Sequence, residues 1–365
     1  MDSEKAQSGK FPAFSRLLDL AISKGASDIH IVKGAHPLFR IDGRLLPVTS
    51  EPPLDEKKID QLLSEITDQE TIKKVKDKQE VDFSFEYDHT RFRTNLYLQK
   101  DIISASLRLI SSKIMSYTEL GLPPIIEHFT AQSQGLVIVT GPTGHGKSTT
   151  LASMVQKINL ERREHIITIE DPIEYLFHNE KSLISQREVG NDTLSFAAAL
   201  KSALREDPNV VLIGEMRDLE TIESALTMAE TGHLVLTTLH TNSAAQTVDR
   251  IVGVFPSYQQ QQIRIQLASA LEGVISQQLI THASGISRVP CCEIMISTSA
   301  IKNLIREGKT HQLYNALQTG SKHGMQTMEQ ALIDLHKAKQ ITKEDAISHT
   351  MHPEELRRML EGSDK

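Results

Sequence analysis

Residues 141–149 read Gly141-Pro142-Thr143-Gly144-His145-Gly146-Lys147-Ser148-Thr149. Gly141 and Gly146 enclose four residues and are followed by a lysine and a hydroxyl side chain, which is the pattern of a phosphate-binding loop. An apolar run, 136–139, precedes this loop, and a helix-competent stretch begins near Ser148. Because the motif requires a strand before it and a helix after it, this context supports the assignment. We therefore expect an α/β domain that binds and hydrolyses a nucleotide.

Each part of this loop has an expected task. The backbone N–H groups of the turn and of the following helix N-terminus would cradle phosphates. Lys147 would reach the β- and γ-phosphates, and the Ser148 hydroxyl would bind Mg²⁺. The loop thus predicts a bound nucleoside triphosphate with Mg²⁺, with all nine residues 141–149 lining the nucleotide; the pattern does not distinguish ATP from GTP.

Length and charge narrow the class of protein. A chain of 365 residues with a net charge of −7 predicts two domains and lacks the basic character of a nucleic-acid-binding protein. Its apolar runs are far shorter than the roughly 20 residues of a membrane span. The N-terminus is polar, without the apolar core of a signal peptide. We expect a cytoplasmic protein that can dock on a membrane complex.

The two cysteines, Cys291 and Cys292, are adjacent in an apolar run. This placement is more typical of core residues than of a disulfide or a metal site. The sequence contains no C-x-x-C pair, so a zinc module is not expected.

The first 112 residues predict a small α+β domain. Residues 1–10 read as a disordered leader, and apolar spacing predicts a helix over 11–24. Strands are predicted over 28–32, 37–41 and 44–48, the last two joined by a hairpin turn at Asp42-Gly43. Two short helices follow between 54 and 78, and then three strands at 81–87, 91–99 and 102–110. Residues 113–124, which contain Gly121 and Pro123-Pro124, read as a linker.

From residue 125 to 365 the pattern changes to alternating strands and helices, which predicts a parallel sheet covered by helices. The strands are expected at 136–140, 166–169, 210–213 and 234–238, and the helices at 148–160, 193–206 and 218–231. Residues 257–279 read as one long helix, 288–296 as a further strand, and everything after 299 as helical.

Acidic residues follow two of these strands. Glu170, Asp171 and Glu174 come after the strand at 166–169, and Glu215 follows the strand at 210–213. Strand-end carboxylates in a parallel sheet face the ligand crevice. One of the first three could orient the attacking water as general base, and Glu215 could hold Mg²⁺. The simpler alternative is that such acids only cap the next helices. Two acids beside a phosphate loop favour the functional interpretation.

Two histidines flank the strand at 234–238, with His233 before it and His240 after it. A lone histidine is more often a structural hydrogen-bonding residue than a ligand. His240, at the carboxyl end, is the better candidate for sensing the γ-phosphate. For His233 the pattern leaves both interpretations open.

Arginines line the strands of the first domain, including Arg93 and Arg108. Alternation places Arg93 on the polar face of its strand. The simplest interpretation is a solvated face. Because phosphoryl transfer is accelerated by an arginine that approaches the phosphates, both residues are also candidates for that role, from the same or a neighbouring subunit.

Several longer signatures resemble the secretion ATPase superfamily that powers type IV pili and type II secretion, and within it the pilus retraction ATPases. The resemblance covers about residues 14–360. Its signatures are residues 25–30, 91–95, 141–149, 169–175, 214–221 and 230–241, which read GASDIH, RFRTN, GPTGHGKST, IEDPIEY, GEMRDLET and ETGHLVLTTLHT.

This resemblance implies a homohexamer in which a PAS-like N-terminal domain and a RecA-like C-terminal domain enclose ATP. It implies that Glu174 is the catalytic glutamate, that Glu215 is the Walker B acid, and that His233 and His240 form the histidine box. Arg93 and Arg108 match arginines that approach the phosphates. The implied partners are an inner-membrane pilus platform protein and, through it, the pilin filament, at the inner face of the cytoplasmic membrane.

The retraction branch is favoured over the extension and type II secretion branches. Those ATPases usually carry a tetracysteine zinc segment and a long N-terminal extension, which this sequence lacks. Residues 300–307 read AIKNLIRE, similar to a signature of the retraction branch, with Lys302 in place of arginine. An accessory retraction motor or an extension motor remains the alternative, and a nucleic-acid translocase is a more distant one.

His145 is a departure from the phosphate loop of the family, which commonly has a small residue there, and we expect its side chain to point outward.

Overall fold

The computed structural model describes residues 11–363, except 42, 78, 89, 111 and 112. The predicted leader, 1–10, and Asp42 of the predicted turn lie outside the described residues. The chain divides into two compact units, with a boundary between Lys113 and Ile114; Glu174–Leu176 group with the first unit. None of the helices in the described residues combines the length and apolarity needed to cross a membrane.

The N-terminal unit is built on an antiparallel sheet. Its helices are α1 (Ser15–Ser23), α2 (Glu56–Ile66) and α3 (Gln69–Lys76), and its strands are β1 (Asp28–Ile31), β2 (Leu38–Ile41), β3 (Arg44–Pro47), β4 (Val81–Tyr87), β5 (Thr90–Gln99) and β6 (Ile102–Ile110). The strand order is β3-β2-β1-β6-β5-β4. Asp55 and Asp68 cap α2 and α3 through side-chain hydrogen bonds to backbone N–H groups. These elements agree with the predicted helices and strands.

Side chains that alternate between the two faces of the strands form the core of this unit on one face. Phe92, Thr94 and Leu96 of β5 are fully buried, whereas Arg93 between them is partly exposed. Leu18 of α1, Leu63 of α2 and Phe14, which precedes α1, pack in the same apolar core. The opposite face of β5 and β6 therefore presents its polar side chains away from the core.

The second unit contains a seven-stranded sheet. Its strands are β7 (Gly135–Thr140), β8 (His165–Glu170), β9 (Leu183–Glu188), β10 (Val210–Ile213), β11 (Leu234–Leu239), β12 (Leu271–Thr281) and β13 (Arg288–Ile296). The order is β13-β12-β7-β11-β10-β8-β9, parallel except for the β12–β13 pair. Residues of β7, β10 and β11 are buried on both faces, which explains their continuous apolar sequences.

Helices cover both faces of this sheet. They are α4 (Ile125–Thr130), α5 (Lys147–Glu161), α6 (Phe196–Ala203), α7 (Leu219–Glu230), α8 (Ala244–Gly253) and α9 (Ser257–Ala270), followed by α10 (Ser299–Arg306), α11 (Leu313–Gln318), α12 (Met328–Lys337), α13 (Lys343–Ser348) and α14 (Pro353–Ser363). Lys302 of α10 stands where the similar signature of the retraction branch has an arginine. It still forms an ion pair, since its Nζ lies 3.9 Å from the Glu272 Oε1.

The prediction of one helix over 257–279 is wrong. Helix α9 ends at Ala270, and β12 begins at Leu271. The apolar residues Ile263, Leu267 and Val274 continue a helical spacing through the boundary, which explains the error. Gly273 marks the change of structure. A Cβ atom there would lie 2.4 Å from the Phe129 ring, so only glycine lets β12 pass so close to its neighbour.

Three elements of the described residues had no counterpart in the sequence prediction: the edge strand β9 and the helices α4 and α8. Strand β9 pairs in parallel with β8 over six residues. Its side chains are mostly half-buried, so it lacks the continuous apolar run of the central strands. Helix α8 begins just after the loop that carries His240 and therefore helps to set the position of that loop.

Candidate nucleotide-binding site

The phosphate loop connects the carboxyl end of β7 to the N-terminus of α5. Gly141, Gly144 and Gly146 have φ angles of 140°, 80° and 80°. Such positive values are readily adopted only by glycine, so the three glycines set the path of the loop. The helix N-terminus that follows turns its N–H groups and the positive end of its dipole toward the loop. This arrangement fits bound phosphates.

Lys147 is the first residue of α5, and its side chain is almost completely buried. Its Nζ donates to the carbonyl oxygens of Gly141 and Pro142 at 2.9 and 3.0 Å. The ammonium is thus held inside the curve of the loop, in the place where a phosphate-binding lysine acts.

His240 lies just beyond β11, on the same edge of the sheet. Its Nδ1 is 3.4 Å from the Lys147 Nζ and 3.5 Å from the Thr143 Oγ1. Its Nε2 is 3.4 Å from Glu215. The structure therefore brings together three predicted site residues that come from three different strand ends.

Glu215 follows β10 and carries a partner that the sequence analysis missed. The Arg217 Nη2 lies 2.5 Å from the Glu215 Oε1. The hydrogen bond that Arg217 donates to this carboxylate and the negative charge of Glu215, aided by the charge of Asp171, raise the pKa of Arg217. The sequence did contain a signal for this ion pair. Glu215 and Arg217 are two residues apart, and both lie in the short loop between β10 and α7.

The three acids after β8 differ in their surroundings. Glu170 is buried and accepts hydrogen bonds from the Thr168 Oγ1 at 2.7 Å and the Gln186 Nε2 at 3.5 Å. Asp171 and Glu174 are exposed. A group that orients an attacking water needs access to solvent, so these two are better placed for that task than Glu170.

His233 lies away from the phosphate loop of this chain, so its grouping with His240 stays a prediction. It precedes β11, and six strand residues separate the two histidines, a distance of roughly 20 Å at about 3.3 Å per residue. The His233 Nδ1 instead lies 2.9 Å from the carbonyl oxygen of Met228. This contact joins the imidazole to the last turn of α7.

Arg93 and Arg108 are directly opposite each other on β5 and β6. The Arg108 Nε is 3.1 Å from the Asp28 Oδ1, and the Arg108 side chain is 66% exposed. The N-terminal unit therefore presents two neighbouring guanidinium-bearing residues on one face of its sheet.

The expectation that His145 points outward is wrong. Its Nδ1 accepts a hydrogen bond from the backbone N–H of Leu279 at 2.9 Å, so the ring turns onto β12. The sequence analysis could not place this contact because it assigned Leu279 to a helix.

The residues present also fit Mg²⁺. In nucleotide sites this ion typically takes one or two protein oxygens, with phosphate oxygens and water completing its octahedron. Ser148, in the first turn of α5, supplies a partly exposed hydroxyl, and Glu215 supplies a carboxylate at the next-but-one strand end. Both groups are hard oxygen donors, as this ion requires.

Comparisons with known proteins agree with this geometry. The model of the family described as "Type II/IV secretion system protein" matches residues 5–363. The chain is 47% identical to the "Type IV pilus retractation ATPase PilT" of Pseudomonas aeruginosa over 341 residues, covering 93% of this chain and 98% of that protein. It is 46% identical to a "Twitching motility protein" of Neisseria gonorrhoeae, covering 88% and 86% of the two chains.

A solved structure supports the same relationship. The crystal structure of the pilus retraction motor PilT with bound ADP is similar with a TM-score of 0.88 at 47% identity. The alignment covers 94% of this chain and 98% of that chain. The α/β fold predicted from the sequence is thereby confirmed.

Proposed function

The chain belongs to the type II/IV secretion system protein family, and on this basis we propose that it hydrolyses ATP to drive the retraction and disassembly of type IV pili, the movement behind twitching motility. The similarity extends over nearly the whole of the chain and of its PilT relative. The proposal therefore concerns both units of the chain rather than the nucleotide-binding unit alone.

One observation carries the enzymatic part of the proposal. Lys147, His240 and Glu215 lie in contact around a glycine-shaped phosphate loop at the carboxyl edge of the parallel sheet. A cation that binds phosphates, a group that senses them and an acid that can hold Mg²⁺ are the parts that phosphoryl transfer needs. A structural ion-pair cluster would not require a loop of three positive-φ glycines.

Each site residue has a proposed task. Residues 141–149 bind the phosphates, with Lys147 on the β- and γ-phosphates. Ser148 and Glu215 hold Mg²⁺, which neutralises phosphate charge when bound. Glu174 orients the attacking water, His240 contacts the γ-phosphate, and Arg93 and Arg108 stabilise the charge that develops during transfer.

The proposal extends to the assembly. Six copies form a ring, each with a PAS-like domain at 11–112, a linker at 113–124 and a RecA-like domain at 125–365. The ring works at the inner face of the cytoplasmic membrane on an inner-membrane platform protein, and through it on the pilin filament. It acts without binding nucleic acid directly.

Two variants of the purified protein test the enzymatic part. Lys147→Ala removes charge-assisted hydrogen bonds to phosphate and should weaken MgATP binding about ten- to a hundredfold. Glu174→Gln keeps the size of the side chain but removes the base, so it should bind MgATP and hydrolyse it about 10²–10⁴-fold more slowly. Calorimetry gives the affinities, and phosphate release gives the rates.

The same assay separates the alternatives. Near-normal turnover by Glu174→Gln would move the water-orienting role to another acid, with Asp171 ahead of the buried Glu170. A hydrolysis rate stimulated by DNA, together with strand binding at physiological salt, would contradict the pilus motor and favour a translocase.

A further inference from the structure

The phosphate loop rests on strand β12. A Cβ atom on Gly141 would lie 2.1 Å from the backbone oxygen of Gln277, so loop and strand are in direct contact. The Gln277 side chain joins the two as well: its Nε2 donates to the carbonyl oxygen of His145 at 2.8 Å, and its Oε1 accepts from the Thr150 Oγ1 at 2.7 Å. Strand β12 thus contacts both ends of the loop.

His145 adds a side-chain connection at the tip of the loop. Its Nδ1 accepts from the Leu279 backbone N–H at 2.9 Å. Beside it, the Arg288 Nη1 of β13 donates to the carbonyl oxygen of Gly144 at 3.1 Å. The imidazole is therefore turned toward the sheet, away from the inside of the loop where Lys147 lies.

The direction of this hydrogen bond fixes the chemical form of the ring. A backbone N–H can only donate, so the His145 Nδ1 must be unprotonated and the hydrogen of the neutral ring must be on Nε2. Burial lowers the pKa of His145, and the nearby Arg288, His349 and Lys147 lower it further. The ring is accordingly neutral at neutral pH, as the contact requires.

Resting on the proposed nucleotide-hydrolysing function, we propose that His145 is a positioning residue, whose hydrogen bond to the Leu279 N–H holds the tip of the phosphate loop against β12. The side chain does not itself contact the nucleotide. It keeps the N–H groups of the loop in the arrangement that binds phosphates, so that less of the binding free energy is consumed in ordering the loop.

The geometry supplies a test by substitution. Asparagine can place its Oδ1 near the position of the histidine Nδ1, and so can accept from the Leu279 N–H. Glutamine carries the same amide one methylene farther out, and alanine has no acceptor. The asparagine and glutamine variants therefore differ mainly in whether the amide oxygen lies where it can accept from the Leu279 N–H.

The experiment measures MgADP affinity by calorimetry on the full-length protein at pH 8, for the wild type and for His145→Ala, His145→Gln and His145→Asn. Loss of one neutral hydrogen bond should weaken binding by about three- to tenfold in the alanine and glutamine variants. The asparagine variant should recover most of that loss. His349→Ala is the matched control, because it removes a neighbouring ring without removing the acceptor, and it should bind like the wild type.

Two results would overturn the positioning role. One is wild-type affinity in His145→Ala; the other is an asparagine variant that binds no better than the glutamine variant. The second comparison stands even if the alanine variant does not fold. In both cases the wild type still binds MgADP, so the proposed function survives. A wild-type protein that binds no MgADP would instead overturn the proposed function and the positioning role together.

Discussion

Arg93 and Arg108 face each other across two antiparallel strands, where like charges repel. Asp28 is the acidic partner of Arg108, and it lies 3.7 Å from Arg40 as well. A pair of cations on one exposed face is suited to an anionic partner. This arrangement supports the proposal that both arginines act on the phosphates of ATP.

We predict that Arg93→Ala and Arg108→Ala each reduce ATP turnover far more than MgATP binding. A positive group that acts mainly in the transition state contributes roughly 10³–10⁵ in rate. Arg108 is itself exposed, and its buried partner Asp28 keeps Ser27 and Arg40 as further partners, so thermal unfolding should show that both variants remain folded. Steady-state phosphate release gives the turnover, and calorimetry gives the affinity.

The matched control is Arg40→Ala, which removes the other cation beside Asp28. It should turn over ATP like the wild type. If Arg93→Ala and Arg108→Ala also retain full turnover, both arginines belong to a solvated face and have no part in the reaction.

Single site residues could be predicted where they belong to a sequence motif or follow a predicted strand. Lys147 follows from the loop pattern, and His240 and Glu215 follow from their places at strand ends. The inward turn of His145 could not be predicted, because it depends on a contact with a strand whose position the sequence did not reveal. Arg217 was missed although its spacing from Glu215 was a signal.

Among the secondary-structure elements, β13 carries a buried carboxylate that connects two helices. The Glu293 Oε1 accepts from the Ala244 N–H of α8 at 2.7 Å, and the backbone of Met328 in α12 also donates to this carboxylate. Helix N-termini stabilise a negative charge. Burial nevertheless dominates and raises the pKa of Glu293 to about 7.

This raised pKa predicts a pH dependence of stability. Between the ordinary value of 4.5 and about 7, the folded protein retains the Glu293 proton that the unfolded chain has released. Stability from this group is therefore present at low pH and is lost as the pH rises through that window. Relative to Glu293→Gln, the wild type should become less stable by a few kcal/mol from pH 5 to pH 8.

Thermal unfolding of both proteins at a series of pH values measures this difference. Glu223→Gln, on an exposed face of α7, is the control for removing a carboxylate. A difference between the wild type and Glu293→Gln that stays constant with pH, or grows in favour of the wild type as the pH rises, would contradict the prediction.

Elements with their own local signal were predictable. Continuous apolar runs identified β7, β10 and β11, and the charged, amphipathic pattern of residues 54–78 identified α2 and α3. Strand β12 was not predictable, because residues 263–274 keep the apolar spacing of a helix while sheet pairing determines the backbone. Strand β12, which was not predicted, is also the strand that contacts the phosphate loop. The packing of the loop against the sheet was therefore found only in the structure.

For the whole molecule, the central claim is that ATP hydrolysis by this chain powers pilus retraction. A rigid phosphate site alone would bind a nucleotide without moving anything. The proposed ring supplies the mechanical part, since six sites that act on one shared platform protein can convert hydrolysis into its movement.

The most direct measurement is the retraction of fluorescently labelled pili in cells that lack the native gene. We predict that pili in these cells extend without retracting, that the wild-type gene restores retraction, and that the Glu174→Gln gene does not restore it although its product is present at the same level. Normal retraction in the deletion cells would contradict the account, and so would full restoration by the Glu174→Gln variant if that variant has lost hydrolysis.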